Sequence, residues 1–437
     1  MTSPGLVIAA PASGSGKTIV TLALLRAYRR AGVAVGSAKA GPDYIDPAFH
    51  TAASGMNCVN LDCWGMRPRT LSALAGGLAR NAELILCEGV MGLFDGAVDG
   101  TGTTADLVVA TGWPVILVLD VRGQAASAAV VYDGFARYCD GVNVVGAICN
   151  RVGGPGHERT LREAFAALAT PPKFLGFLPR DPAFNLPERH LGLVQAQEHG
   201  TLDAFLDRAA DLMAERLDLS AIRACARLGL CRLDRVLLTP PLGQHIAVAR
   251  DEAFAFAYSA VLEGWREAGA TLSFFSPLAD EAPVDDADGV YLPGGYPELH
   301  AGRLAANAQF RDGLTAAAAR GASVYGECGG YMALGAGLVD TDGIRHAMTG
   351  LLPLETSFAK RRLHLGYRFL ETSTDSALGA ARSRFRGHEF HYATLVKEGP
   401  GAPLFRSTDA RGENDTICGL VSGTVAGSFL HLIDCAP

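Results

Sequence analysis

Gly326-Glu327-Cys328-Gly329-Gly330-Tyr331 is the stretch on which the reading of this chain turns. The apolar run Ala322-Ser323-Val324-Tyr325 before it reads as a buried strand, and Tyr331-Met332-Ala333-Leu334 reads as the start of a helix. Strand, G-x-C-x-G, helix is the pattern of a nucleophile elbow. Small flanking residues let the backbone turn sharply and lift the central side chain out of the sheet. Here that side chain is the Cys328 thiol, and a helix N-terminus behind it favours the thiolate. An isolated cysteine is more often a buried packing residue; between two glycine positions after a strand, Cys328 reads as a nucleophile. A thiol nucleophile needs a base, and Val425-Ala426-Gly427-Ser428-Phe429-Leu430-His431 ends an apolar strand in a histidine, so His431 is expected in that role. His388 and His391 lie in a polar, aromatic stretch that could contact substrate. Upstream, the strand Gly289-Val290-Tyr291-Leu292 runs into Pro293-Gly294-Gly295-Tyr296-Pro297-Glu298. This glycine pair can present backbone N–H groups to a developing oxyanion or simply form a tight turn, and the pair alone does not decide.

The first half opens on an apolar strand, Leu6-Val7-Ile8-Ala9-Ala10, then Pro11-Ala12-Ser13-Gly14-Ser15-Gly16-Lys17-Thr18 and a helix to about Arg30. This is a Walker A loop with Pro11 in place of the first glycine. Its N–H groups can cradle phosphates, Lys17 can pair with the terminal phosphates, and the Thr18 hydroxyl can hold Mg²⁺. A second strand, 33–39, leads to Gly41-Pro42-Asp43-Tyr44-Ile45-Asp46-Pro47. Asp43 and Asp46 alone read as cap or turn residues; one strand from a P-loop they read as metal or substrate groups. A strand at 84–87 runs into Glu88, then Gly89-Val90-Met91-Gly92-Leu93-Phe94-Asp95-Gly96. Glu88 is the expected second Mg²⁺ ligand, and the glycines let Asp95 approach the same site. Neither carboxylate has an obvious cationic partner nearby in sequence. Strands at 115–119 and 144–149 follow, with a helical stretch over 124–138 between them. Asn150 then stands where a side-chain amide reads an adenine edge or is a plain loop asparagine.

The remaining numbers set bounds. With 437 residues, two domains are expected. A net charge of −7 and a pI near 5.9 argue against a nucleic-acid partner. There is no basic leader and no apolar run long enough to cross a bilayer. The 10 cysteines are scattered without paired metal spacing, and Cys58 and Cys63 read as packing or surface thiols, so a reducing cytoplasm is expected. Alternating strands and helices with glycine-rich strand ends give an α/β fold of two doubly wound domains. We place a P-loop domain at 1–199, a linker with a surface helix at 200–243, ending near Pro240-Pro241-Leu242-Gly243, and a second domain at 244–437.

The segments Ala12–Thr18, Gly41–Pro47, Glu88–Gly96, Leu292–Glu298, Gly326–Tyr331 and Gly427–His431 together resemble the cobyrinic acid and hydrogenobyrinic acid a,c-diamide synthase family over nearly the whole chain. The resemblance implies a first domain similar to dethiobiotin synthetase and a flavodoxin-like second domain similar to class I glutamine amidotransferases. It implies a ligase of cobalamin biosynthesis that uses glutamine and ATP to amidate the a and c acetates of a corrin through acyl phosphates. It further implies Cys328 and His431 as the catalytic pair, with Gly294, Gly295 and Gly329 binding glutamine and its oxyanion. Ser13, Gly14, Ser15, Gly16, Lys17, Thr18 and Asn150 would bind ATP; Thr18, Asp46 and Glu88 would hold Mg²⁺, with Asp43 and Asp95 close to the reacting carboxylate. The partners would be the corrin, L-glutamine and ATP, without nucleic acid or membrane; a homodimer is compatible with this. Two departures stand out. Ala40 replaces a common proline, and the chain ends His431-Leu432-Ile433-Asp434 without the usual His-x-His or His-x-Glu, so a third member of the Cys–His site is not identified. Cobyric acid synthase-type amidation of other side chains is a rival, disfavoured by the acidic loop at 43–46. A partitioning-type ATPase with a degenerate glutaminase domain is another; it would carry a lysine where Ala12 stands and would not need Cys328 and His431. Cobalt-bearing and cobalt-free corrins both fit this reading.

Overall fold

The computed structural model describes residues 3–181, 188–189, 192–193, 195–196, 200–232 and 234–436. It divides the chain into two compact units, Met1–Trp64 with Pro68–Asp234, and Gly65–Arg67 with Arg235–Pro437. The division falls before the expected boundary at 243, and the other expected boundary, at 199, lies outside the described residues.

The first unit is built on β1 (Pro4–Ala9), β2 (Val35–Ala40), β3 (Val59–Leu61), β4 (Leu84–Glu88), β5 (Val115–Asp120), β6 (Val144–Val152) and β7 (Lys173–Pro179), parallel in the order β3-β2-β4-β1-β5-β6-β7. The two middle strands, β1 and β4, are apolar and buried along almost their full length, as strands covered by helices on both faces must be. A short β8 (Arg227–Leu228) adds antiparallel to β1. Of the helices, α1 (Lys17–Arg30) follows the P-loop, α2 (Asp46–Ser54) begins inside the acidic loop, and α3 (Pro68–Asn81) precedes β4. The helix α4 (Thr104–Thr111) starts in a capping box, Thr103 Oγ1 accepting from the Asp106 N–H and Asp106 Oδ2 from the Thr103 N–H, both at 2.9 Å. The expected linker is instead two helices of this unit, α7 (Leu202–Arg216) and α8 (Leu219–Cys225), after α5 (Ser127–Arg137) and α6 (Pro155–Ala166). The reason is their apolar side: Phe205, Leu206, Ala209, Ala210 and Met213 are buried, and Arg26 of α1 donates to Asp207 of α7 at 2.7 Å. Parallel order puts the loops after β1, β2, β4 and β6 at one edge of the sheet, where open α/β sheets bind ligands.

The second unit also starts parallel. β9 (His245–Ala249), β10 (Thr271–Phe275), β11 (Gly289–Leu292), β12 (Ser323–Glu327) and β17 (Val425–Ser428) pair in the order β10-β9-β11-β12-β17. Beyond β17 the sheet continues antiparallel through β16 (Thr416–Ser422), β15 (Ala402–Asp409), β13 (His364–Thr372), β14 (Arg384–His391) and β18 (Leu430–Cys435). A separate four-stranded sheet holds 337–339, 345–347, 354–357 and 394–398. The doubly wound pattern expected for this half therefore describes its first four strands and β17; the antiparallel extension was not anticipated. The segment 427–431 is likewise not one strand: it breaks at Phe429, and His431 is the second residue of β18 rather than a strand end.

Arg67 ties the residues Gly65–Arg67 to this unit through the Leu237 carbonyl, at 2.9 Å from its Nη2, and through one carboxylate. Asp434 is fully buried and accepts from Arg67 Nε at 3.0 Å, Arg67 Nη2 at 2.8 Å and the Arg67 main-chain N–H at 2.9 Å. We expect Arg67→Ala to destabilise the chain by about 3 kcal/mol, the lower end for a buried pair whose cation is partly solvated. Arg67→Lys should recover only part, because an ammonium cannot make the two parallel bonds. Urea unfolding midpoints of the three proteins check this, and a midpoint unchanged in Arg67→Ala refutes it.

Candidate active sites

In the second unit β12 ends at Glu327 and α9 (Gly329–Leu334) begins directly after Cys328. Cys328 has φ 47° and ψ −102°, a conformation a β-substituted residue adopts only under constraint. Its N–H donates to the Ser428 carbonyl on β17 at 2.8 Å. Gly330 packs on β11 with no room for a side chain: a Cβ there would collide with the Leu292 carbonyl oxygen. The elbow thus forms because its glycines allow backbone to lie on backbone. Gly294, after β11, faces both candidate catalytic residues. A Cβ on it would overlap His431 Cε1 and lie 3.3 Å from Cys328 Cβ, while Gly329 approaches the Gly295 N–H closely. Cys328, His431, Gly294, Gly295 and Gly329 therefore meet at one place, as the sequence reading required.

The electrostatics of this place differ from expectation. Burial pushes the Cys328 thiol up, Glu298 adds to it, and the Gly329 N–H at the helix start opposes both without outweighing them. The thiol is protonated, not the expected thiolate, since a six-residue helix cannot offset full burial. His431 is pushed down to about 3 by burial and by His388 and His391, so its imidazole is neutral and able to take the thiol proton. Glu327, which the sequence reading passed over inside the elbow itself, is buried with Oε2 3.7 Å from His431 Nδ1. Burial pushes Glu327 up to about 7 against the pull of the Tyr291 hydroxyl and the Leu432 N–H. His388 and His391, read as substrate contacts, are buried. His388 sits opposite His431 in the β14–β18 register, and His391 stacks on Phe429 with ring centroids 4.0 Å apart. The ligand atoms of His364, Glu389 and His391 lie within 4.8 Å of one another, with Arg368 donating to Glu389 at 2.6 Å and supplying the positive charge.

In the first unit the three oxygen groups proposed from sequence do converge. Thr18 Oγ1 donates to Glu88 Oε1 at 2.6 Å, and Lys39 Nζ donates to Glu88 Oε1 at 2.7 Å and to Asp46 Oδ2 at 2.5 Å. His50 Nε2 lies 2.6 Å from Glu88 Oε2. The expectation that Glu88 lacks a cationic partner is thus corrected: Lys39 stands directly across from it in the β2–β4 register. Burial alone would raise Glu88, but Lys39 and His50 hold it far below the usual carboxylate range. Burial alone would lower His50, but Cys58 and Glu88 beside it raise it to about 10. Asp46 is pushed up to about 6, by burial first and then by Asp43. Asp43 Oδ1 accepts from the N–H groups of Ile45 and Asp46, the capping role that its place in the loop also allowed. Asp95 Oδ2 accepts from the Gly92 N–H at 3.0 Å and pins the loop turn.

The P-loop is tied down from below. Lys17 Nζ donates to the Met91 carbonyl, and burial pushes it down to about 8 while Glu88 opposes. Ser15 Oγ donates to the Ala12 carbonyl at 2.9 Å. Asn150 Nδ2 donates to the Ser15 carbonyl at 2.9 Å, so one of the amide hydrogens assigned to an adenine edge holds the loop instead. Arg151, which no sequence signal marked, donates to the Gly14 carbonyl at 2.7 Å and to Asp120 at 2.6 Å. Beside the loop a cavity of about 360 Å³ is lined by Gly16, Asn150, Arg122, Arg151, Leu178 and Arg180 among others, a volume suited to a nucleoside.

Residues 6–194 match the CobQ/CobB/MinD/ParA nucleotide binding domain, and residues 245–435 match the CobB/CobQ-like glutamine amidotransferase domain. Over 436 residues the chain is 56% identical to the hydrogenobyrinate a,c-diamide synthase of Brucella abortus biovar 1 (strain 9-941), covering 98% of each chain. It is 55% identical to the protein of the same name from Rhizobium meliloti (strain 1021), over 98% of this chain and 99% of the relative. With that of Rhodobacter capsulatus it shares 52% over 98% of each.

The fit around Gly294 can be tested directly. Gly294→Ala should push His431 and Cys328 apart and cut glutamine hydrolysis by about 100-fold, the scale set by displacing reacting groups about 1 Å. The P-loop chemistry should be untouched. Steady-state rates with glutamine and with free ammonia check this, and a Gly294→Ala protein with normal glutamine hydrolysis refutes it.

Proposed function

Given that the chain belongs to the hydrogenobyrinate a,c-diamide synthase family, we propose that it amidates the a and c acetate side chains of a cobalt-free corrin, with glutamine as nitrogen source and ATP as activating agent. The observation that carries this reading is the meeting of Cys328, in a strained elbow, with His431 and Gly294 in a unit whose chain-mate holds a P-loop. A glutaminase and a nucleotide-binding unit on one chain are what an amide ligase needs.

In the second unit Cys328 Sγ attacks the glutamine carboxamide carbon as His431 takes the thiol proton. The oxyanion is met by N–H groups of Gly295 and Gly329, next to Gly294. His431 returns the proton to the leaving nitrogen, ammonia departs, and water cleaves the thioester to glutamate. In the first unit a substrate carboxylate attacks the terminal phosphorus of ATP and ADP leaves. Ammonia then attacks the acyl phosphate and inorganic phosphate leaves. Activation is required because hydroxide is too poor a leaving group for direct amidation.

The nucleotide phosphates would lie on the Ser13-Gly14-Ser15-Gly16-Lys17-Thr18 turn, with Lys17 exchanging the Met91 carbonyl for phosphate oxygens. The nucleoside would fill the adjoining cavity beside Asn150. Thr18, Asp46 and Glu88 form a hard-oxygen set that suits Mg²⁺, and Lys39 already balances its charge. Bound there, Mg²⁺ would neutralise the nucleotide phosphates. Asp43 and Asp95 would face the corrin carboxylate. Among the described residues no helix is long and apolar enough to cross a membrane. All ten cysteines are free, which supports a reducing, cytoplasmic setting.

Cys328→Ser should lose glutamine-dependent synthesis by on the order of 1,000-fold or more yet keep ammonia-dependent synthesis, because only ammonia release uses the thiol. Lys17→Ala should lose synthesis with either donor, because acyl phosphate formation comes first. Product masses over time separate these outcomes, and failure of ammonia to rescue a folded Cys328→Ser would sink the two-site reading. At the acidic cluster, Glu88→Gln should raise the Mg²⁺ concentration needed for half-maximal synthesis. Asp95→Asn, which keeps an acceptor for Gly92, should let a monoamide accumulate. Unchanged Mg²⁺ dependence together with normal diamide formation would remove this cluster from the mechanism.

A further inference from the structure

We propose that Glu327 is the positioning residue for His431, supplying from the elbow strand the carboxylate that β18 does not carry. The proposal rests on the reading of Cys328 and His431 as the glutaminase pair. β18 carries a bulge just after His431: Leu432 lies opposite Gly387 and Asp434 opposite Arg386, so Ile433 is the extra residue between them. Two places beyond His431 stands the buried and apolar Ile433, which offers no carboxylate. Asp434 is held by Arg67 at both oxygens.

Glu327 reaches His431 from β12, the strand that ends at the elbow. Its Oε2 lies 3.7 Å from His431 Nδ1 and accepts from the Tyr291 hydroxyl at 2.8 Å. Its Oε1 accepts from the Leu432 N–H at 3.1 Å, so the carboxylate is anchored to the peptide that immediately follows His431. Both side chains are buried. The carboxylate is therefore fixed at the Nδ1 side of the ring, and the opposite nitrogen, Nε2, is the one turned toward the site around Gly294. A proton kept on Nδ1 by Glu327 leaves Nε2 as the acceptor for the Cys328 thiol. When that proton moves, the imidazolium forms beside a buried negative charge. Such contacts are long in the free enzyme and close in the substrate complex.

The other titratable groups are disposed around the pair. Tyr291 and Tyr325 act on Glu327, Glu298 and Glu389 act on Cys328, and His388 and His391 act on His431. Glu327, pushed up to about 7 by burial, is the member of this group that ionises in the working range, while His431 at about 3 stays neutral throughout it. As pH rises through 7 the carboxylate forms, so glutaminase activity should rise with it.

The experiment uses the full chain and compares wild type, Glu327→Gln, Glu327→Asp and Cys328→Ser. It records kcat and KM for glutamine hydrolysis from about pH 5.5 to 9, with ammonia-dependent synthesis in parallel. Glu327→Gln should lower kcat about 100-fold or more with KM changed less than about threefold, and lose the acid limb near neutrality. Glu327→Asp should recover part of kcat, and both should make amide from free ammonia at the wild-type rate. A Glu327→Gln enzyme with wild-type kcat and an unmoved acid limb would overturn the proposal. So would parallel loss of ammonia-dependent synthesis in both variants, which would make Glu327 a prop of the fold. Glutamine hydrolysis surviving Cys328→Ser would instead overturn the glutaminase reading, and the proposal with it.

Discussion

A carboxylate with 1% of its surface exposed must be met by positive charge and by hydrogen-bond donors, or it would not stay ionised. Glu88 is in that position at the end of a central strand, and the first unit is arranged to satisfy it. Lys39 comes from the adjacent strand, His50 from the helix after it, and Thr18 from the helix that the P-loop starts. Lys39 in turn holds Asp46, which is pushed up to about 6 and is the weaker anion of the two. Two carboxylates, an ammonium and an imidazole thus sit within one strand end of the phosphate loop, close to neutrality as a group. Removing one member leaves the others uncompensated, which is the costly way to break a buried pair.

The second unit solves a different problem with less charge. Its elbow exists because Gly330 lies directly on the Leu292 carbonyl, and a side chain on Gly294 would meet both His431 and Cys328. Both catalytic groups rest in neutral form, the thiol raised and the imidazole lowered by the same burial. A neutral pair costs less to bury than a thiolate–imidazolium pair, and the proton transfer waits for substrate to enter.

Much of this was legible in the sequence because glycine spacing reports backbone geometry directly. The elbow, the P-loop and the pair at Gly294-Gly295 each needed only local patterns, and the structure brings each to a strand end. What the sequence hid was pairing across strands. Lys39 is 49 residues from Glu88 and opposite it only once β2 and β4 are in register, so no search for a nearby cation finds it. Glu327 was in plain view, but its carboxylate accepts from a main-chain N–H 105 residues later, on a strand that no local pattern connects to it. The linker reading of 200–243 failed because the mixed charge of α7 hid an apolar side that belongs to the core. The antiparallel strands between His364 and Ser422 carry short, irregular alternation that gave no pattern to extend.

The grip of Arg67 on Asp434 has a consequence for how such a chain can be rearranged. The second unit is not continuous in sequence: three of its residues, Gly65–Arg67, are encoded inside the stretch that builds the first. Splitting the gene between residues 234 and 235 would leave a downstream product whose fully buried Asp434 has lost its guanidinium. Fission into two separately made subunits, open to proteins whose domains follow one another without interleaving, would here require a new donor for that carboxylate first.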